Sequence, residues 1–202
     1  MLKSCGIVLR NYYPYKQKIS LFDKDHGRIE ACINNMRFNH AQQLNNGTII
    51  QYHITLYPSP CKIHDLDIVS IPFELAKHDL VFFHHILELS YYFLPHGAAA
   101  PDTFDLILYL FNAAHHTFNK QLILFRFFIS LGMYPEHIPF ERNYFNYLAS
   151  QKLDIFFKEK LDEIHHKVLE SWLLQCIAMH PNKNQFKTIS HEKNIMVSNE
   201  NI

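Results

Sequence analysis

The sequence predicts an α+β protein in which a small β-barrel is followed by an all-α region. Three observations point to this class. Hydrophobic and polar residues alternate with a period of two through much of the first 70 residues. After Ile71-Pro72 the pattern changes, and apolar residues occupy nearly every side of the helical repeat. The composition is globular, because 48% of the 202 residues are hydrophobic and 19% are charged.

The strands are predicted from alternation between turn signals. In the clearest case Ile50, Tyr52 and Ile54 alternate with Gln51 and His53, which gives the strand one apolar face. The predicted strands cover residues 5–13, 16–23, 27–34, 47–57 and 61–69. Five short strands in so short a segment fit a closed, OB-like barrel, because closure removes the exposed edges of the sheet.

Two glycines are predicted to lie in the turns between these strands. Gly27 ends a polar run that is typical of a hairpin, and Gly47 follows Asn45-Asn46. Glycine adopts a positive φ without steric cost, which tight turns often need. We therefore expect both residues in the left-handed region.

The helical region is predicted to begin with one buried central helix over residues 73–94, which are apolar nearly all round. Asp102 is expected to cap the second helix, and Gly132 to end the third. The predicted helices cover residues 73–94, 103–116, 121–131, 140–149 and 153–179.

The predicted organisation is an OB-fold domain over 1–71, a helical domain over 72–189 and a polar, flexible tail over 190–202. Charge supports this division. Residues 1–70 carry eight basic and five acidic side chains, whereas residues 71–150 carry four and seven. The whole chain has 19 of each, so its net charge of zero excludes a protein held to nucleic acid by bulk charge alone. The barrel is the part suited to an anionic partner.

Composition also narrows the chemistry. The chain has only five glycines, and neither G-x-G-x-x-G nor G-x-x-x-x-G-K occurs. Cys5, Cys32, Cys61 and Cys176 lie far apart without a C-x-x-C pair, which predicts neither a zinc ribbon nor a disulfide framework. We expect no cofactor and no metal. No signal-peptide core and no membrane-spanning run is evident, so a cytoplasmic protein without a membrane partner is expected.

Aromatic and basic residues cluster around the turn after the first predicted strand. A tyrosine ring can stack on any unpaired base, which contributes about 1–3 kcal/mol per base. Lys and Arg neutralise phosphates, so affinity falls as salt rises. The predicted DNA-binding residues are Arg10, Tyr12, Tyr13, Tyr15, Lys16, Lys18, Lys24, Arg28 and Arg37. The alternative is that the tyrosines are ordinary strand residues and the lysines are solvated surface.

The first three predicted strands also carry short motifs in a fixed order. They are Gly6–Arg10 (GIVLR), Ile19–Phe22 (ISLF) and His26–Ile29 (HGRI). This order resembles the opening of the bacterial RecO family of recombination mediators. Two later segments extend the resemblance over most of the chain: Gln121–Pro135 is similar to the family's helix ending in L-G-Y-x-P, and Trp172–His180 with Phe186-Lys187-Thr188 is similar to its final helix and short tail.

The resemblance implies a protein without catalytic residues. RecO-like proteins bind single- and double-stranded DNA, anneal complementary strands and, with RecR, help RecA load at gaps. They also contact the acidic, hydrophobic tail of single-strand binding protein. A role in DNA repair and recombination is therefore expected, with single-stranded DNA, RecR and that tail as partners and RecA-coated filaments as indirect ones.

The chain departs from the family pattern in three ways. The segment after the third predicted strand, Asn34–His40, has the single basic residue Arg37 where family members are rich in Lys, Arg and Gly. The four-cysteine zinc module of some members is absent, and the chain is shorter than usual. Together these departures bear more on the strength of DNA binding than on the fold.

Arg126 is the predicted residue for tail binding. It lies in an otherwise apolar predicted helix and matches an arginine that is common at this position in RecO-like proteins. A cation beside an apolar groove suits an acidic tail that ends in an aromatic residue. The alternative is a buried ion pair with Glu88 or Asp105.

Two other functions stay open. One is a RecO-fold adapter that binds protein partners with little affinity for DNA. The other is a metalloenzyme in the helical region, because Glu88 lies near His84-His85 in the sequence and Glu163 near His165-His166, at spacings that di-metal sites use. Glu74 and Glu159 are the only further candidate carboxylates, and adjacent histidines point about 100° apart on a helix.

Overall fold

The structure is a computed structural model, and it describes residues 2–13, 15–33, 44–56, 60–112, 119–134 and 142–188. The predicted DNA-binding residue Arg37 and the predicted tail over 190–202 lie outside the described residues, and so does the side chain of Glu74.

Five strands form the N-terminal part of the fold. They are β1 (Leu2–Asn11), β2 (Lys18–Asp23), β3 (Gly27–Ile33), β4 (Ile49–Thr55) and β5 (Cys61–Ser70). Neighbouring strands pair in the order β1-β2-β3-β5-β4, and β4 pairs with β1, which closes the sheet. The pair β3–β5 is parallel and the other four pairs are antiparallel. The predicted α+β class, with five N-terminal strands before the helices, is confirmed.

Alternate residues of the strands fill the interior of the barrel. Val8, Leu21 and Ile29 follow one another across β1, β2 and β3 in the strand register, and all three point inwards. The interior core consists of Val8, Ile19, Leu21, Ile29, Ala31, Ile33, Leu44, Ile50, Tyr52, Ile54 and Ile63. Removing these side chains from water stabilises the barrel by about 25 cal/mol for each Å² of apolar surface buried.

Strand β1 is buried on both faces. Ile7, Val8 and Leu9 are consecutive, and each is at most 4% exposed. Val8 belongs to the barrel interior, whereas Ile7 and Leu9 belong to a second core that the barrel shares with the helices. The strand lies between two apolar layers, and for this reason the alternation is lost at this point in the sequence.

The two turn glycines have the predicted conformation. Gly27 has φ +66° and Gly47 has φ +88°. At Gly27 a Cβ would also overlap the carbonyl oxygen of Ala98, because the β2–β3 turn packs against the loop before the third helix. The backbone of Arg28 joins the same contact through a hydrogen bond to the Pro95 carbonyl oxygen at 3.0 Å.

Seven α-helices and a short 3-10 helix (Lys183–Gln185) are described after the barrel. The α-helices are α1 (Phe73–His78), α2 (Leu80–Phe93), α3 (Pro101–Asn112), α4 (Lys120–Ser130), α5 (Arg142–Ser150), α6 (Leu153–Phe156) and α7 (Glu163–Met179). Gly132, just past α4, has φ +82° as predicted. Phe22 of β2 packs edge-on against Phe104 of α3 at 5.2 Å between ring centres, so the helices cover this outer face of the barrel. None of the described helices is both long and apolar enough to cross a membrane.

Two of the predicted helices are wrong in their extent. Residues 73–94 form two helices because Asp79 is extended, with φ −149° and ψ 80°, and its carboxylate accepts a hydrogen bond from the Phe82 amide at 2.9 Å. Residues 153–179 also form two helices, and Asp162 caps the second through the His165 amide at 2.8 Å. In each case a capping aspartate within the predicted helix begins a new one.

The predicted cap at Asp102 is wrong by two positions. Helix α3 begins at Pro101, and Asp102 lies in its first turn. Proline suits the first helical position because its missing N–H would have no intrahelical partner there. Asp102 still places a negative charge near the positive end of the helix dipole.

Candidate nucleic-acid interface

Three of the predicted DNA-binding residues contact Tyr91 of the helical region, and a fourth, Lys18, contacts one of those three. Cations and rings alternate along this cluster in the order Lys18, Tyr12, Arg10, Tyr91 and Arg28. The Lys18 ammonium lies 5.6 Å from the Tyr12 ring centre, and the Arg10 guanidinium lies 6.0 Å from the same ring. Arg10 lies 4.4 Å and Arg28 5.1 Å from the ring centre of Tyr91, in α2. We call these five residues the ladder.

Hydrogen bonds fix the ladder between the barrel and α2. The phenol oxygens of Tyr12 and Tyr91 lie 3.1 Å apart, and a guanidinium N–H of Arg28 donates to the Tyr91 carbonyl oxygen. Burial, with a further contribution from the Tyr91 hydrogen bond, raises the pKa of Tyr12 to about 12. All the members of the ladder are half-buried. The tyrosine faces that contact these cations are therefore already occupied.

Lys18 also forms an ion pair at one end of the ladder. Its ammonium lies 3.0 Å from the carboxylate of Glu30, on β3. The strand register places Arg10 opposite Ser20 and Ser20 opposite Glu30, so this carboxylate and the ladder cations share the outer face of β1, β2 and β3. Helices α2 and α3 cover much of that face, where Ser20 and Phe22 are fully buried.

The other predicted residues of the first turn face solvent. Tyr15, at the tip of the turn, is 92% exposed; Lys16 is exposed, and Tyr13 is half-exposed. Backbone hydrogen bonds hold the turn, from the Tyr12 amide to the Lys18 carbonyl and from the Lys16 amide to the Tyr12 carbonyl, both at 3.1 Å. The described residues of the turn thus present an exposed ring and an exposed cation.

A second exposed lysine lies near this turn. In the strand register Lys18 is opposite Cys32, and Cys32 is opposite Lys62 at the start of β5. Neighbouring strands are about 4.8 Å apart, so the Cα atoms of Lys18 and Lys62 are separated by about 10 Å. We call the surface formed by Tyr13, Tyr15, Lys16, Lys18 and Lys62 the rim.

Lys24 lies at the other end of the barrel. It follows the last residue of β2, whereas Lys18 is the first, and a strand rises about 3.3 Å per residue. The structure therefore separates Lys24 from the rim by the length of the strand. Lys24 is exposed, and its backbone amide donates to the Cys5 carbonyl oxygen at 3.0 Å.

A buried carboxylate stabilises the barrel near Lys24. Asp23 is 0% exposed and accepts hydrogen bonds from the Ser4 hydroxyl at 2.7 Å and from the Tyr52 hydroxyl. Its other oxygen accepts from the amides of Asp25 and His26, both at 2.9 Å, and lies 2.8 Å from Nδ1 of His26. Burial, followed by the charge of Asp23, raises the pKa of Tyr52 well above its ordinary value. These contacts fix the β2–β3 turn.

Sequence reasoning missed two residues of this region as members of the site. Tyr91 belongs to an apolar helix and is separated from Tyr12 by 79 positions, so no local sequence pattern predicts their contact. Lys62 comes beside Lys18 only through the parallel pairing of β3 with β5. Its exposed place in a predicted strand was the one available signal.

Arg126 lies in α4, away from the barrel sites. Its guanidinium donates to the Leu148 carbonyl oxygen at 3.2 Å and lies 5.7 Å from the ring centre of Phe156. Burial lowers the pKa of Arg126. Neither Glu88 nor Asp105 forms an ion pair with it; Glu88 contacts a different segment, and Asp105 is exposed.

The histidine pairs have structural contacts. Glu88 accepts hydrogen bonds from the amides of Lys187 and Thr188 at 2.8 and 2.9 Å, and from the Thr188 hydroxyl at 2.5 Å. His85 is fully buried, and its Nδ1 lies 2.7 Å from that hydroxyl. Burial lowers the pKa of His85 to about 4. Within the part of the chain that the structure describes, no group of three or more His, Cys, Asp or Glu residues is arranged to hold a metal ion.

Helix α7 carries the second Glu and His group of the alternative metalloenzyme function, and its side chains form ion pairs with near neighbours in the sequence. Glu163 forms an ion pair with Lys167 at 2.8 Å, and His165 with Asp162 at 2.7 Å. Glu159 accepts a hydrogen bond from the side-chain amide (Nε2) of Gln151 at 2.9 Å. The four cysteines are half-buried and form no disulfide.

Comparisons with known proteins do not assign the chain to a family. No protein-family model matches the sequence, and no curated protein matches it significantly.

Proposed function

We propose that this protein is a RecO-like DNA repair and recombination mediator that binds single-stranded DNA at the rim. The observation that carries the proposal is the exposed ring of Tyr15 beside Lys16, with Lys18 at the start of β2 and Lys62 two strands away at the start of β5. A flat ring next to several cations suits an unpaired strand, because bases stack on the ring and phosphates meet the cations.

The strand order supports an OB-like identity for the barrel. Proteins of that fold are five-stranded Greek-key barrels, and they bind oligonucleotides with the face of strands 2 and 3 and with the loops that join strands 1 to 2 and 4 to 5. Here helices cover much of the first surface, whereas the loop between β1 and β2 carries Tyr15 and Lys16. The proposal therefore assigns binding to the rim.

Annealing of complementary strands follows from such binding without catalytic residues. Lysines that screen phosphates reduce the repulsion between two strands, and stacked bases are held unpaired and accessible. Holding the strands together also converts a bimolecular encounter into a local one. From the resemblance to the RecO family, RecR and the tail of single-strand binding protein are the proposed protein partners, and RecA-coated filaments are an indirect partner.

Arg126 is the proposed contact for the acidic tail. Its guanidinium is half-buried over the Phe156 ring, which is itself fully buried, and the 56%-exposed Tyr134 lies just past the end of the same helix. A cation beside aromatic surface suits a peptide with carboxylates and a terminal aromatic ring. The variant Arg126→Ala is expected to weaken binding of a tail peptide while the circular dichroism spectrum is unchanged. Global loss of structure would instead assign Arg126 to the core.

Fluorescence anisotropy with a labelled thymidine oligonucleotide tests DNA binding. Tyr15→Ala is expected to weaken binding by about tenfold, since one stacked base is worth about 1–3 kcal/mol. Lys16→Ala/Lys18→Ala is expected to weaken it further and to reduce the slope of log K against log salt by about 1.4, or about 0.7 per phosphate contact. The matched controls are Lys24→Ala, at the far end of the barrel, and Tyr147→Ala, an exposed tyrosine of α5. Equal losses in rim and control variants would overturn the assignment to the rim.

The adapter function is the second candidate, and the ladder favours it. Arg10, Tyr12 and Arg28 contact Tyr91, so part of the predicted DNA-binding set serves the contact with α2. A protein that binds no oligonucleotide at any salt concentration, yet binds RecR or the tail peptide, would be such an adapter.

A further inference from the structure

The segment that follows α7 folds back along α2. We call residues 180–188, which include the 3-10 helix, the strap. Its aromatic residue, Phe186, is buried, and its ring centre lies 4.8 Å from that of Tyr92 and 6.0 Å from that of Phe93. Both of these rings belong to the last turn of α2. The strap therefore covers aromatic surface at the end of this helix.

One carboxylate of α2 binds the far end of the strap. Glu88 accepts hydrogen bonds from the backbone amides of Lys187 and Thr188 at 2.8 and 2.9 Å, and from the Thr188 hydroxyl at 2.5 Å. Because that hydroxyl donates its proton to Glu88, it accepts a hydrogen bond from Nδ1 of His85 at 2.7 Å. His85 is fully buried, so a second proton on its ring would place a positive charge away from water, which is costly.

The near end of the strap requires the neutral form of His180. Its Nε2 lies 3.2 Å from the Tyr92 carbonyl oxygen, and a carbonyl only accepts, so this nitrogen carries the proton. Its Nδ1 accepts a hydrogen bond from the Asn182 amide at 3.1 Å, so this nitrogen carries none. A proton added to Nδ1 would set two N–H groups against each other and break the contact with Asn182.

The surroundings of the two histidines favour their neutral forms. Among the described residues, the charged neighbour of His180 is Arg28, and those of His85 are Glu88 and Lys120. Burial is the largest cause that lowers the pKa of each histidine, and the charges of Arg28 and Lys120 act in the same direction. The charge of Glu88 and the carbonyl contact of His180 oppose the shift without reversing it. An open strap would give both rings access to water, where they bind a proton more readily.

We propose that the strap is a pH-sensitive closure over the end of α2, which is closed at neutral pH and opens in mild acid when His85 and His180 bind protons. The contribution of these histidines to the closed form is fully present above pH 6.5 and is lost as the pH falls below it. Opening uncovers the rings of Tyr92 and Phe93. This behaviour is independent of DNA binding at the rim.

Hydrogen–deuterium exchange tests the closure, with each rate divided by the intrinsic rate at the same pH. Between about pH 7.5 and about pH 5, amide protection of residues 182–188 is expected to fall about tenfold or more in wild type, while that of β3 is unchanged. The variant His85→Asn/His180→Gln should lose most of this pH dependence, because the amides keep a donor near Nδ1 and Nε2 but bind no proton. His84→Gln, at an exposed position, should match wild type.

A second variant tests the carboxylate that holds the strap. Glu88→Gln replaces charge-assisted hydrogen bonds with neutral ones, so strap protection should fall about tenfold already at neutral pH while β3 is unaffected. Asp105→Asn, an exposed carboxylate of α3, is the matched control and should leave the strap unchanged.

Three results would overturn the closure. They are equal protection of the wild-type strap at both pH values, a fall that the double histidine variant keeps in full, and a fall that β3 shares, since the last would be global unfolding. If the double variant lacks β3 protection at neutral pH, His180→Gln alone decides, and it should lose part of the pH dependence. A wild-type pH dependence retained in full by His180→Gln would then contradict the role given to His180.

Discussion

The phenol oxygen of Tyr12, in the turn after β1, lies 3.1 Å from the phenol oxygen of Tyr91, in α2. This pair joins the barrel to the first long helix after it. The guanidinium of Arg10 contacts both rings, at 6.0 and 4.4 Å from their centres. Arg10, Tyr12 and Arg28, which were predicted to bind DNA, therefore contact α2, whereas Tyr13, Tyr15 and Lys16 belong to the rim. Lys18 belongs to both the ladder and the rim, and Lys24 to neither.

The tyrosine hydrogen bond should contribute measurably to stability. Tyr12→Phe and Tyr91→Phe are each expected to lower the free energy of unfolding by about 0.5–1.5 kcal/mol, because each removes one partner and leaves the other hydroxyl half-buried. The double variant should lose less than the sum of the two, which urea denaturation can measure. Tyr15→Phe, at the exposed tip, should have no effect. Fully additive losses would show that the two hydroxyls do not interact.

His85 should make the protein sensitive to mild acid. Burial lowers the pKa of His85 to about 4, from an ordinary value of 6.5. Between these two pH values the unfolded chain therefore binds a proton at His85 and the folded protein does not. The contribution of His85 is fully present above pH 6.5 and is lost as the pH falls from 6.5 towards 4. Urea midpoints measured across this range should fall less steeply for His85→Gln than for wild type. His84→Gln, at the exposed neighbouring position, should keep the wild-type slope.

The carboxylate of Asp23 should be essential to the barrel. Asp23→Ala removes the acceptor for the hydroxyls of Ser4 and Tyr52, both of which are buried. The expected loss is about 3 kcal/mol or more, since each buried donor left without a partner costs about 1–3 kcal/mol. Asp25→Ala, in the exposed part of the same turn, should change stability by less than about 0.5 kcal/mol. Similar unfolding curves for the two variants would contradict the role given to the buried carboxylate.

Gly27 and Gly97 offer a matched test of close packing. Both have positive φ, +66° and +74°, so alanine should cost about 1–2 kcal/mol at either position from backbone strain alone. At Gly27 the added Cβ would also overlap the Ala98 carbonyl oxygen, whereas at Gly97 it would meet open space. Gly27→Ala should therefore be the more destabilising variant in thermal unfolding. Equal melting temperatures would show that the β2–β3 turn does not pack tightly against the loop of Ala98.

The elements that were predicted well are those with only one buried face, because a single buried face gives a regular alternation in the sequence. β3 alternates strictly between buried and half-buried residues, and its sequence shows the same alternation. The break at Asp79 was not predicted, because apolar residues continue on both sides of it and conceal the cap. In β1 the two apolar layers around Ile7, Val8 and Leu9 extended the hydrophobic run and concealed the period.

The sequence predicted most of the residues of the candidate site but not how they are arranged. Arg10, Tyr12 and Lys18 are close in sequence, and their contact follows from the turn between them. The division into ladder and rim depends on Tyr91, which reaches the barrel only once α2 has packed on it. Lys24 is only six residues from Lys18 in the sequence, but strand β2 places the two lysines at opposite ends of the barrel.

The central claim is that the rim of the barrel binds an unpaired nucleic-acid strand. The most direct test is the affinity of the wild-type protein for a single-stranded oligonucleotide, measured by anisotropy across a salt series. We predict binding at low salt that weakens linearly on a log–log plot, with a slope of about −2 for three phosphate contacts. No binding at the lowest salt concentration, or binding that does not change with salt, would contradict the account.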